Sequence, residues 1–408
     1  MVFLFQMSEE QTVAVRINQD YCSGCLICYS ICPYEAIKMG ARNGKLEIDT
    51  QKCQVCGICY SACPASAIEI LYYNYDSLVK YVENERKRNE AETLVLMCRG
   101  NSPPTKEVEE ILSEQSLSVK EYIPLRLPCS GRVSTEFIFK VLSLGVKNVV
   151  SIQCEDSFCR FKEGAKINTK RLLLLRRVLE EFGFGKNTVR VVKYSRKAFY
   201  DPTKCVGCDK CVFICPYDAI EVEDFATPKI LKDYCMGCGA CALVCPHHAI
   251  QLQGFEFESV LRRYSDAAVK LKANGKSPVV LVFCCQWSEF SALDNPEEIL
   301  FKRNAVIIEV PCFKTLDPVH VVNALRRGFD GVMAVVCPAE DCKIEKGRDT
   351  AERNMAVLKD VLKKTGLFER FEIYESSPRD AGKFEKKLDE FIRKVSSLSP
   401  MKPLKMGV

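Results

Sequence analysis

The sequence predicts a multidomain protein of mixed α/β and α+β class, in which two small cysteine-rich modules alternate with two parallel-sheet modules. Three observations predict it. Cysteines recur in four runs of the pattern Cys-x2-Cys-x2-Cys-x3-Cys-Pro. Short apolar runs of strand length alternate with helical patterns in the stretches that follow. Residues of both kinds of stretch also share one offset: Cys129 and Cys312, Cys154 and Cys337, and Cys159 and Cys342 each stand 183 residues apart. So do Cys22 and Cys205, Leu78 and Leu261, Tyr81 and Tyr264, Pro128 and Pro311, and Gly145 and Gly328. One offset across cysteine-rich and cysteine-poor stretches reads as tandem duplication of a two-module unit, in the order A, B, A′, B′.

Module A is expected over residues 1–75 and A′ over 198–258. In A the runs are Cys22, Cys25, Cys28, Cys32 before Pro33, and Cys53, Cys56, Cys59, Cys63 before Pro64. In A′ they are Cys205, Cys208, Cys211, Cys215 before Pro216, and Cys235, Cys238, Cys241, Cys245 before Pro246. All four continue Pro-x-x-Ala-Ile, ending at Ile37, Ile68, Ile220 and Ile250. Two-residue gaps let a tight loop wrap three thiolates around a cubane, while the fourth Cys, displaced onto the next turn, points at the other cluster. The expected ligand sets are therefore Cys22, Cys25, Cys28 with Cys63; Cys53, Cys56, Cys59 with Cys32; Cys205, Cys208, Cys211 with Cys245; and Cys235, Cys238, Cys241 with Cys215. These segments resemble bacterial-type two-cluster ferredoxins over all of A and A′, which implies ferredoxin-like domains holding four [4Fe–4S] clusters. Gly24, Gly57, Gly207, Gly237 and Gly239 would allow the backbone to approach the sulfurs closely. His247 and His248 read as an exposed turn in preference to a role beside the cluster.

Linker helices are expected over 76–92 and 259–277, with Leu78, Tyr81 and Val82, or Leu261, Tyr264 and Leu271, forming a packing stripe. Module B, 93–197, reads as strands at Thr93–Met97, Ile123–Leu127, Val149–Gln153 and Val189–Tyr194. Helices are expected at Thr105–Glu114, Thr135–Leu144 and Lys170–Phe182. Module B′, 278–408, repeats the pattern with strands at Val279–Phe283, Ala305–Val310, Val332–Val336 and Phe371–Tyr374, then a helix at Ala381–Val395. Cys98, Cys129 and Cys154 fall at the C-terminal ends of strands, as do Cys284, Cys312 and Cys337. In parallel sheets that edge gathers ligands.

The chain has 25 Cys but 3 His, so a catalytic metal centre built on imidazoles is not expected. The sixteen ferredoxin-type ligands and two sets of four leave one Cys over, assigned as Cys285. The sets of four are Cys98, Cys129, Cys154, Cys159 and Cys284, Cys312, Cys337, Cys342. Four convergent thiols suit a [2Fe–2S] cluster. Zinc, a dithiol/disulfide pair at Cys154 and Cys159, and inert buried thiols remain open.

Leu127-Pro128-Cys129-Ser130-Gly131-Arg132 and Cys154-x4-Cys159, with the helix pattern between them, resemble the delta (iron–sulfur) subunit of methyl-viologen-reducing hydrogenase, over nearly all of B and B′. Phe283-Cys284-Cys285-Gln286-Trp287 is similar to the family's first cysteine segment, with Ser288 where a further Cys is usual; B has Met97-Cys98-Arg99-Gly100 there. B′ replaces Ser-Gly-Arg by Phe313-Lys314-Thr315. The resemblance implies one or two [2Fe–2S] clusters. It also implies partners: a flavin-containing heterodisulfide-reductase-type subunit, and a hydrogenase, formate dehydrogenase or other oxidoreductase catalytic subunit, in the anaerobic archaeal setting of such complexes.

Absences narrow the field. No dinucleotide-binding Gly-x-Gly-x-x-Gly, haem-attaching Cys-x-x-Cys-His or P-loop occurs, so the chain is expected to make and break no substrate bonds. Basic and acidic residues interleave, and no nucleic-acid partner is expected. Val2–Phe5 lacks the features of a secretory signal, and no run approaches the roughly 18 apolar residues of a spanning helix, so a cytoplasmic protein is expected. The leading reading is an electron-relay component of a multi-subunit oxidoreductase. The alternative is a thiol/disulfide or sulfur reductase using Cys154 and Cys159, or Cys284 and Cys285. The formal charge of +5 omits the clusters. Six oxidised clusters at roughly −2 each would turn it to about −7.

Overall fold

The structure is a computed structural model that describes residues 14–40, 44–222, 227–273, 275–289, 304–344, 347–380 and 382–402. The Val2–Phe5 run and Ala381 lie outside them. Residues 14–72 form strands β1 (Val15–Ile17), β2 (Ile37–Met39), β3 (Leu46–Ile48) and β4 (Ile68–Ile70), with β1 antiparallel to β4 and β2 to β3. Strands β5 (Thr93–Cys98), β6 (Ile123–Leu127), β7 (Asn148–Cys154) and β8 (Val189–Tyr194) follow as one parallel sheet of order β6-β5-β7-β8. A second small unit has β9 (Ala198–Tyr200), β10 (Ile220–Glu221), β11 (Lys229–Ile230) and β12 (Ile250–Leu252), pairing β9 with β12 and β10 with β11. The last sheet, β13 (Val280–Cys285), β14 (Ala305–Val310), β15 (Gly331–Val336) and β16 (Phe371–Glu375), is parallel in the order β14-β13-β15-β16.

The linker helices belong to the sheets. Leu78, Val79 and Val82 of the helix Tyr75–Asn89 are buried with Leu94, Leu96, Val149 and Leu175, and the Tyr81 hydroxyl donates to the Pro124 carbonyl at 2.6 Å. Val260, Tyr264 and Ala268 of the helix Phe257–Ala273 cover Leu281, Phe283 and Val332 in the same way. The opposite faces are covered differently. Val108 and Leu112 of the helix Thr105–Glu114 pack on Val95, Met97 and Val150. In the second sheet Phe384, Leu388, Phe391 and Val395 of the C-terminal helix Lys383–Ser396 do this, on Val280, Val282 and Met333. The helix expected from Lys170 starts at Gly164. Its added turn carries Asn168, a polar residue that breaks the apolar pattern yet is buried, donating to Gln153 Oε1 at 2.8 Å.

In the small units each three-cysteine loop enters a one-turn helix through a left-handed residue: Leu26 (φ 61°), Gly57 (φ 81°), Asp209 (φ 54°) and Gly239 (φ 78°). The identity follows the surroundings. Leu26 is exposed, whereas a Cβ on Gly57 would lie 2.5 Å from Arg132 Nε and one on Gly239 2.4 Å from Thr315 Cγ2. Glycine stands where a loop presses on an α/β domain, and the conformation alone does not demand it. Gly57→Ala is expected to cost about 2 kcal/mol in thermal or denaturant unfolding, while Leu26→Gly shifts stability by less than about 1 kcal/mol.

His248 stacks on Phe257 (centroids 4.3 Å apart), which stacks on His320 (4.4 Å), locking the second small unit to the last sheet. Burial, with the nearby His248, lowers the His320 pKa to about 4. Because this lies below the unfolded value near 6.5, the neutral ring contributes stability in full above pH 6.5 and loses it as pH falls toward 4. Between pH 7.5 and 5.5 the wild type is expected to lose about 1.3 kcal/mol that His320→Gln does not lose, measured by unfolding of both proteins at each pH.

Candidate metal centres

The Pro-x-x-Ala turn after every fourth cysteine has a structural reason. Glu35, Ser66, Asp218 and His248 each take φ near +50°, which swings the next N–H back onto the sulfur four residues earlier. Ala36 donates to Cys32 Sγ at 3.4 Å, Ala67 to Cys63 at 3.3 Å, Ala219 to Cys215 at 3.4 Å and Ala249 to Cys245 at 3.2 Å. An N–H aimed at sulfur stabilises a thiolate.

Cys28 lies in the field of Cys22, Cys25 and Cys63, while Cys59 lies in that of Cys53, Cys56 and Cys32. In the second unit one concavity is lined by Cys205, Cys208, Cys211 and Cys245, and another by Cys215, Cys235, Cys238 and Cys241. Each set draws three thiols from one loop and one from the other. Among the described residues no three His, Cys, Asp or Glu side chains close around a single metal ion. Thiols arranged around a space, with N–H groups directed at the sulfurs, fit a multi-iron cluster.

The sets differ in burial. Cys25 and Cys208 are exposed, so one set of each unit is outer; Cys56, Cys235, Cys238 and Cys241 are buried, so the other is inner. Burial pushes the Cys56 thiol up to about 12 and raises Cys238 and Cys241 as well. A buried cation opposes this at each inner set: Arg132 beside Cys53 and Cys56, and Lys314 beside Cys238. Of the expected glycines, Gly24 and Gly207 have open space around their Cα, and Gly237 packs against the Arg196 carbonyl.

In both parallel sheets the first strand sits between the second and third, so the crossovers leave it in opposite directions and open a crevice at its C-terminal end. Cys98 ends β5, Cys154 ends β7 and Cys129 follows β6 by two residues. The Cys98 thiol contacts those of Cys129 and Cys154, and Cys154 contacts Cys159. Those contacts hold Cys98 well below the ordinary thiol range and draw Cys159 down to about 7. Ser130 and Ala165 N–H groups donate to Cys98 (3.3 Å) and Cys159 (3.4 Å). Gly164 leaves room for Cys129, since a Cβ there would lie 2.5 Å from its sulfur.

At the last sheet the thiols brought together differ from the expected set. Cys285 Sγ is 3.9 Å from Cys337 Sγ, Cys337 contacts Cys342, and Cys342 contacts Cys312. Cys284 is turned to the opposite face, among Val280, Val282, Met333 and Phe384. The strand runs through Cys285, two residues beyond the expected end at Phe283, and its alternation decides which thiol faces the crevice. Register gives the same answer: Cys98 pairs with Leu127 and Cys285 with Val310, each two residues before the cysteine that follows the second strand. At this strand the offset is 187 residues instead of 183, which hid the equivalence.

Parallel sheets that gather thiols at one edge, each preceded by a two-loop cysteine unit, are the arrangement expected of an iron–sulfur protein. The chain belongs to the family of the methyl-viologen-reducing hydrogenase delta subunit, whose model matches residues 94–206 and 280–399. Models of the 4Fe-4S dicluster domain match 14–91 and 198–252, so the chain carries [4Fe–4S] dicluster domains. It is 35% identical over 209 residues to one subunit of the ferredoxin/F(420)H(2)-dependent CoB-CoM heterodisulfide reductase of Methanosarcina acetivorans, covering 50% of this chain and 26% of that protein. It is 29% identical over 126 residues to the iron–sulfur subunit of the F420-non-reducing hydrogenase vhu of Methanococcus maripaludis, covering 30% of this chain and 94% of the relative. The F420-non-reducing hydrogenase iron–sulfur subunit of Archaeoglobus profundus is 27% identical over 128 residues, covering 31% of this chain and 93% of the relative. The chain thus spans about a quarter of the heterodisulfide reductase relative and nearly all of the hydrogenase ones. No helix of the described residues is long and apolar enough to cross a membrane.

Cys285→Ser is expected to abolish any iron centre at the last sheet and Cys284→Ser to leave it intact, read as iron content and cluster absorbance of the two purified variants.

Proposed function

We propose that this chain relays single electrons within an anaerobic, cytoplasmic oxidoreductase complex. Its two partners would be a flavin-containing heterodisulfide-reductase-type subunit on one side, and on the other a hydrogenase, formate dehydrogenase or similar catalytic subunit. The observation that carries the reading is the contiguity of the thiol sets. Cys56 of the first inner set and Cys129 of the first crevice belong to one buried cluster, and Cys238 of the second inner set shares another with Cys312. Matches to a heterodisulfide reductase component as well as to hydrogenase iron–sulfur subunits support partners of those two kinds.

The ligand sets are Cys22, Cys25, Cys28, Cys63; Cys53, Cys56, Cys59, Cys32; Cys205, Cys208, Cys211, Cys245; and Cys235, Cys238, Cys241, Cys215 for four [4Fe–4S] clusters. Cys98, Cys129, Cys154, Cys159 and Cys285, Cys312, Cys337, Cys342 hold two [2Fe–2S] clusters. When bound, such clusters accept and release one electron without making or breaking substrate bonds. The protein's residues bury the inner sites, direct N–H groups at sulfur and place Arg132 and Lys314 where anionic clusters need compensating charge.

The division into 1–75, 76–92, 93–197, 198–258, 259–277 and 278–408, and its origin by duplication, are part of this reading. The identical strand order of the two sheets and the matched register at Cys98 and Cys285 support it. A thiol reductase reading has one supporting observation, the contact of Cys154 with a partly exposed Cys159.

Anaerobically prepared protein is expected to contain roughly 20 iron per chain and a [2Fe–2S] signal in EPR of the reduced state. Roughly 16 iron, no such signal and rapid alkylation of Cys159 would replace the relay reading of the crevices with the thiol one.

A further inference from the structure

The relay reading leaves the two halves as separate circuits, each running from an outer to an inner set and into its own crevice. The packing between halves does not respect that division. One buried cluster unites Cys56 and Ile58 of the first small unit, Cys129 and Phe161 of the first sheet domain, and Cys285, Trp287 and Cys337 of the last. Cys342 packs against it, and also against the cluster of Cys238, Ala240, Cys312 and Ile344 that joins the last sheet domain to the second small unit. The last crevice therefore shares a buried cluster with the inner set of each half, through Cys285 and Cys337 on one side and Cys312 on the other, with Cys342 packed against both. The first crevice differs: Cys129 alone reaches the shared cluster, and Cys98 and Cys154 lie apart with Ala165.

Specific contacts build this junction. The Trp287 ring stands edge-on to Phe161, centroids 5.7 Å apart, and occupies the space a side chain at Gly100 would need, where a Cβ would lie 2.2 Å from Trp287 Cη2. Gln286 Nε2 donates to the Arg99 carbonyl at 3.0 Å. From the loop after Cys342, Lys343 lies over the rings of Tyr34 and Phe161, 5.4 Å from each centroid, and bonds to Gln54, beside Cys53. Gln54 Nε2 in turn donates to Asp341 Oδ1 at 3.2 Å. Residues from both halves thus fix the loop Cys53–Cys56 against the loop Cys337–Cys342.

We propose that the crevice of Cys285, Cys312, Cys337 and Cys342 is the bridge that joins the two halves into one circuit, exchanging electrons with both inner [4Fe–4S] sites. This rests on the relay reading. One electron leaves the inner site of Cys32, Cys53, Cys56 and Cys59 as its cluster goes from the 1+ to the 2+ state. It would reduce a cluster at the bridge from 2+ to 1+, and the bridge would return to 2+ as a cluster held by Cys215, Cys235, Cys238 and Cys241 goes from 2+ to 1+. No bond forms or breaks and no proton moves. Chain order, in which the last module would be a terminus, is thereby replaced by a path in which it is central.

The test is EPR spin relaxation of the bridge signal in the full chain. Cys154→Ser removes the signal of the first crevice, so the remaining [2Fe–2S] resonance reports the bridge. In the fully reduced protein that resonance is expected to relax fast, and to lose part of the enhancement when Cys53→Ser is added and part when Cys238→Ser is added instead. A bridge signal insensitive to Cys53→Ser overturns the proposal while leaving the relay reading intact. Absence of any [2Fe–2S] signal in Cys154→Ser overturns the proposal by removing the cluster it needs. Because ligand variants are prone to misfold, the unmodified protein supplies a second measurement. In a stepwise reductive titration the [2Fe–2S] signals are expected to broaden as the inner sites become paramagnetic, and lines of constant width throughout contradict the bridge.

Discussion

Arg132 is 1% exposed and gives its guanidinium to the carbonyls of Tyr72 (2.9 Å), Cys56 (3.4 Å) and Val55. A buried charge is tolerated only where its donors are satisfied, and here two of the three acceptors, Val55 and Cys56, are the backbone of the loop that carries the inner thiols. One residue of a sheet domain thus fixes the loop, demands glycine at position 57 and sets a positive charge beside Cys53 and Cys56. In the second half Thr315 occupies the space against Gly239, and the neighbouring Lys314, equally buried, supplies the charge beside Cys238. The same two tasks are divided between adjacent residues. Anionic centres placed at a domain boundary need both, and the rest of the packing accommodates them.

Much of this was legible in the sequence because the chemistry is local. Cys-x2-Cys-x2-Cys-x3-Cys-Pro is a single loop and turn, so its spacing marks which three thiols share one loop. Apolar runs such as Val279–Phe283 and Val332–Val336 marked strands because the central strands of a parallel sheet are buried on both faces. The order β6-β5-β7-β8 was not legible, although the gathering of Cys98, Cys129 and Cys154 at one edge was.

What stayed hidden depends on distance along the chain or on register. Choosing between Cys284 and Cys285 requires the strand's alternation, since adjacent thiols point to opposite faces. Arg132 and Lys314 stood only as parts of the motif segments, because nothing local announces that a carbonyl or thiol from another module will reach them. Trp287 and Tyr34 likewise acquire meaning only once modules far apart in sequence are packed together. The sole Trp of the chain was a signal of sorts, standing two residues after Cys285.

The exposure of Cys25 and Cys208 has a consequence for damage. Oxidants reach accessible thiolates before buried ones, so the sets that contain Cys25 and Cys208 would be damaged first. On the proposed relay the outer sites would be the terminals, while the inner thiols are shielded by Arg132, Trp287 and the sheet edges. A briefly aerated molecule would keep its fold and its charged middle yet be disconnected, a sound cable with both plugs corroded. Cover from bound partners at those two surfaces would then protect the wire as well as feed it.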